Sequence, residues 1–64
     1  MTFTRKAKRL DNGYVIEITQ DKFSDAYAVE MIDNFGRIER KNYYPTIETA
    51  KRCFYRYCSD AKHF

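Results

Sequence analysis

A single proline divides this chain into two periodicities. Before Pro45 apolar residues recur at every second position; after it they recur in steps of three and four residues. Proline has no amide N–H for a strand ladder, and it pushes the residue before it away from helical backbone. Extended structure must therefore stop at Tyr44–Pro45, and a helix has to begin after it. Thr46 is placed to cap that helix, because its hydroxyl can accept from a free amide one turn on. Glu48 falls in the first turn, where the helix dipole favours negative charge. Ile47, Ala50, Phe54, Cys58 and Ala61 then form one apolar stripe.

Upstream, "LDNGYVIEI" carries a hairpin signal. Asn12-Gly13 is a favoured turn pair, since both residues tolerate positive φ. "YVIEIT" alternates and is β-branched, with Tyr14, Ile16 and Ile18 on one face. "DKFSD" breaks that pattern with turn-forming residues. "AYAVEMID" reads as the next strand, with Tyr27, Val29 and Met31 on one side. "DNFG" makes another tight turn, and "RIERKNYY" is the last strand, with Ile38 as its core candidate. Residues 1–10 read equally as a basic arm or as an edge strand.

The spacing predicts one small α+β domain over residues 1–64. An antiparallel three- or four-stranded β-meander, with its sheet over 14–44, packs against one C-terminal α-helix over 46–61. The predicted core is Tyr14, Ile16, Ile18, Val29, Met31, Ile38, Ile47, Ala50 and Phe54. A chain of 64 residues buries only about 60% of its unfolded surface. Five Phe and six Tyr compensate, because each removes a large area from water.

Charge narrows the function. The net charge is +3, and its distribution is uneven. Arg5, Lys6, Lys8 and Arg9 form a basic stretch with no acid before Asp11. Acids dominate from Glu17 to Asp33. The chain turns basic again at Arg37, Arg40 and Lys41, then at Lys51, Arg52 and Arg56. No apolar run is long enough to span a bilayer and no signal-peptide core is present, which predicts a cytoplasmic protein. Cys53 and Cys58 are the only cysteines. On one helix they stand about 140° apart around the axis, too far round to bond to each other, as suits a reducing compartment.

Catalytic chemistry has little to work with. His63 is the only histidine and lies next to the chain end. The spacing of Cys53, Cys58 and His63 is not that of a zinc site, and the two glycines both sit in turns. The expectation is a non-enzymatic protein with no metal and no cofactor. Binding remains. Arg5, Lys6, Lys8 and Arg9, with Arg37, Arg40 and Lys41 on the last strand, can contact phosphates, and Tyr43 can stack on a base. If the Tyr14/Ile16/Ile18 face packs on the helix, Val15, Glu17 and Thr19 point outward. Ala28, Glu30 and Ile32 follow from the next strand, and Arg37, Glu39 and Lys41 from the last. Glu17, Glu30 and Glu39 would then suit a cationic protein groove.

"YVIEIT", "AYAVEMID", "GRIER" and "TIETAKRCF" resemble the strand, strand, strand, helix order of two DNA-binding groups. One is the arm-site domain of phage and transposon tyrosine recombinases; the other is the plant ethylene-response-factor domain. Tyr44, Thr46, Ala50 and Phe54 fall at comparable places. The resemblance implies DNA binding through the sheet, although those families often present a Trp there and this chain has none. A chain of this length with no catalytic group is also typical of accessory proteins of phages and mobile elements, so the expected function is a small nucleic-acid-binding accessory protein of that kind. The alternative is a protein-binding module that inhibits a host nucleic-acid enzyme, such as a CRISPR nuclease. In either case the partner is nucleic acid or a host protein, not a membrane.

Overall fold

The computed structural model describes residues 2–21, 23 and 25–63. Strands β1 (Thr2–Arg9), β2 (Val15–Asp21), β3 (Tyr27–Ile32) and β4 (Ile38–Tyr44) precede helix α1 (Ile47–Ala61). The strands form one sheet in the order β1-β2-β3-β4, every neighbouring pair antiparallel. The fold is therefore α+β, a four-stranded meander closed by a C-terminal helix. Residues 2–9 are an edge strand, which resolves the choice left by the sequence. Lys22 and Ser24 of the "DKFSD" stretch lie outside the described residues.

Two hairpins use the same turn. Leu10 N–H donates to the Tyr14 carbonyl at 2.7 Å, and Gly13 N–H donates back to Leu10 at 3.0 Å. Asp33, Gly36 and Arg37 repeat both bonds, at 2.8 and 3.1 Å. In each loop only the glycine has positive φ, 92° at Gly13 and 83° at Gly36. The expectation of positive φ at Asn12 is therefore corrected. The loop is three residues long, with glycine supplying the one left-handed position, rather than a two-residue turn. Asn12 serves otherwise. Its Oδ1 accepts from Tyr14 N–H at 3.1 Å, and its Nδ2 donates to the Ala61 carbonyl at 2.7 Å. That second bond ties the first hairpin to the end of α1, where helical carbonyls lack internal partners.

Thr46 caps α1 as expected, accepting from Thr49 N–H at 3.3 Å. The helix lies over β2, β3 and β4. Ile16, Ile18, Val29, Met31 and Phe54 are almost wholly excluded from solvent beneath it. Tyr14, Tyr27, Tyr44 and Ile47 pack around this core half-buried. Leu10, Cys53 and Tyr57 join it although the stripe reading omitted them. Ile38 does not join: it is 54% exposed. Counting back by twos from Tyr44 would put it inward. An extra residue at Glu39 breaks that parity, so Ile38 pairs with Ile32 while Arg40 pairs with Met31. A second irregularity at Arg5 divides β1 in the same way. Both sheet edges are thus kinked and charged, which discourages strand addition by another chain.

Candidate nucleic-acid interface

The register sorts the charges between two faces. On β1, Lys6 lies opposite Ile18 and Lys8 opposite Ile16, so both rise on the helix side. The helix makes no close backbone approach to β1, and a trough remains between them. Lys6, Lys8 and Lys62 line it with Phe54, Tyr55 and Cys58. Arg5 and Lys51 continue the same side toward Tyr27 and Ile47. The Lys6 ammonium sits 5.4 Å from the Phe54 ring centre and 5.3 Å from that of Tyr55. Tyr55 is itself 57% exposed, so its ring is open at the rim. Burial pushes the Cys58 thiol up, while Lys8, Lys62 and Lys6 draw it the other way. The trough is cationic with an aromatic wall, a combination that suits phosphates and base faces.

Across the helix a second cleft opens toward β4. Arg40, Arg52 and Arg56 line it, with Asn42, Tyr44 and Tyr57 at its floor. Arg40 pairs with Asp60 at 3.0 Å. Arg52 and Arg56 are exposed and have no ion-pair partner among the described residues. They stand one turn apart on α1, a spacing at which like charges repel. Asn42 Nδ2 donates to the Tyr57 hydroxyl at 2.6 Å. A hydrogen bond with Cys53 and burial push the Tyr44 phenol up to about 12.

The helix-free face has the opposite sign. Its central row runs Ala7, Glu17, Glu30, Lys41 across the four strands. Glu17 and Glu30 are direct cross-strand partners. Lys41 pairs with Glu30 at 3.5 Å; Glu17 has no ion-pair partner among the described residues. Asp21 adds a third carboxylate, and Thr4, Thr19, Ala26, Ala28 and Tyr43 complete the surface. Lys41 lies 5.4 Å from the Tyr43 ring centre. The Tyr43 hydroxyl and then Glu30 hold the Lys41 ammonium above its usual pKa.

The sequence-derived candidates therefore do not form one patch. Arg5, Lys6 and Lys8 lie on the β1–α1 trough. Arg9 pairs with Val15 at the far end of β1. Arg37 is exposed beside the second turn, where its N–H donates to Asp33 Oδ1 at 2.9 Å. Arg40 lies on the β4–α1 cleft, while Lys41 and Tyr43 share the acidic face. Glu39 is the bulge residue; it leaves the row of Glu17 and Glu30, and its charge helps raise the Tyr14 phenol, after burial. The trough also recruits Lys51, Tyr55 and Lys62, none of which is among the sequence-derived candidates. Their signal was present in the helical spacing, but only the position of β1 brings them beside Lys6 and Lys8. Among the described residues no group of three His, Cys, Asp or Glu side chains can hold a metal ion, and no helix is long and apolar enough to cross a membrane. No family model, curated protein or solved structure matches the chain.

Proposed function

We propose that this protein is a small non-enzymatic nucleic-acid-binding accessory module of a phage or mobile element, and that it docks through its helix side. The segregation of charge carries this reading. Lys51, Arg52 and Arg56 on α1, Lys62 at its end and Lys6 and Lys8 beside it gather on the helix side, where α1 itself carries the acids Glu48 and Asp60, the latter paired with Arg40. A phosphate backbone gains most where several cations release counterions together. The acidic sheet face is a poor surface for it, so the docking mode differs from the sheet-borne mode implied by the resemblance. Titration of labelled duplex and single-stranded DNA and RNA, followed by anisotropy across a salt series, is the test. The expected result is a linear fall of log affinity with log salt. Failure of every nucleic acid at low salt would end the proposal.

The Glu17–Glu30 pair favours a second reading: the helix-free face docks a cationic protein surface, such as the nucleic-acid groove of a host enzyme. Two adjacent carboxylates, of which only Glu30 has a lysine beside it, leave the Glu17 charge without an ion-pair partner among the described residues. Reversing Glu17 and Glu30 to Lys separates the two readings. It leaves a helix-side nucleic-acid site in place and abolishes binding of a cationic protein.

A further inference from the structure

We infer that the nucleic acid is B-form duplex DNA, straddled by α1 with a phosphate contact row on each flank; the inference rests on the helix-side reading above. The flanks are chemically distinct and independent of each other. Lys6 and Lys8 of β1 stand with Lys62 on one side, and Arg52 and Arg56 of α1 stand on the other beside Arg40 of β4, itself paired with Asp60. The ridge between them carries Glu48 and Ser59, both exposed. A single strand offers one backbone, and one flank would suffice for it. Two cationic rows separated by a helix match a ligand with two backbones.

The dimensions agree. Three strand spacings put β1 and β4 about 14 Å apart, and a helix with its side chains is about 10–12 Å across. The major groove of B-DNA is about 12 Å wide and admits one helix between its two phosphate walls. Lysine and arginine side chains on the outer strands would then meet those walls while the ridge of α1 faces base edges. A-form RNA has a deep, narrow major groove that cannot admit the ridge.

Two double variants test this on the full chain: Lys8→Gln with Lys62→Gln on one flank, and Arg52→Gln with Arg56→Gln on the other. All four residues are exposed, and a thermal melt confirms folding. Affinity is measured for a B-form DNA duplex, the same sequence as single-stranded DNA, and duplex RNA. The expected order places the DNA duplex tightest. Each double variant should lower its salt slope by about 1.8, since each phosphate contact contributes about 0.9. Equal or tighter binding of single strands, or a DNA-duplex slope lowered by only one of the variants, would overturn the straddling geometry while leaving nucleic-acid binding intact. Preference for duplex RNA would overturn the groove assignment. Absence of binding to all three would remove the helix-side reading and this inference together.

Discussion

The two faces of the sheet are built from the same strands and differ in almost everything else. Facing α1, Ile16, Ile18, Val29 and Met31 are fully buried, and the outer strands add the cations Lys6, Lys8 and Arg40 at the margins of the helix. Facing away, the same strands present Glu17, Glu30 and Thr19, and none of the described elements covers them. In a strand, successive side chains alternate between faces, so one register decides both surfaces at once. The core and the acidic surface are therefore a single decision. A change that slips a strand by one residue would expose isoleucines and bury glutamates together.

The largest expected effect lies on the covered side. Phe54 is 1% exposed at the centre of the interface with the sheet. Phe54→Ala should cost about 3–5 kcal/mol, enough to unfold much of a domain whose total stability is about 5 kcal/mol or little more. Chemical denaturation reads it directly, and an unchanged midpoint would mean that α1 is docked otherwise. The matched change on the open side is Ile38→Thr. Its side chain is 54% exposed, so the shift should stay within about 0.5 kcal/mol. A loss of several kcal/mol there would show that Ile38 is in the core after all and that the bulge at Glu39 is misplaced.

Asn12→Ala probes the seam between the faces. It removes the bond that ties the first hairpin to the Ala61 carbonyl, and leaves that carbonyl without the side-chain donor. The expected loss is about 1 kcal/mol, with faster amide exchange confined to the end of α1 and the Leu10–Tyr14 loop. Uniform exchange across the sheet would contradict the seam.

The smallest effect has the opposite sign. Glu17→Gln removes one of two like charges facing each other across β2 and β3. Stability should rise by a few tenths of a kcal/mol, because directly opposed like charges are unfavourable. The gain should shrink with added salt, as expected for exposed charges. A loss on this substitution would mean that Glu17 has a stabilising partner.

Much of the fold was legible because its signals are local. Asn12-Gly13 and "DNFG" mark turns through glycine's tolerance of positive φ, and Gly13 and Gly36 do adopt it. Pro45 and Thr46 mark the switch to helix through a missing donor and a capping hydroxyl. The binding surface was less legible. Arg40 and Lys41 are neighbours in sequence, yet one pairs with Asp60 on the helix and the other with Glu30 on the open face. Glu39 looked equivalent to Glu17 and Glu30 until the bulge removed it from their row.

What the residues determined alone is the kind and order of elements: two glycine turns, alternating strands, a capped amphipathic helix, and more cations than acids. Each depends on interactions within a few neighbours along the chain. What only the tertiary structure decided is which charges act together. Lys8 and Lys62 share a trough although nearly the whole chain separates them, and Arg40 meets Arg56 because β4 runs beside α1. Parity at each bulge, and the placing of the helix over β2, β3 and β4 rather than β1, set those meetings. Both follow from how the core packs as a whole. An extra residue in a strand costs little locally, but it reverses the face of every side chain beyond it.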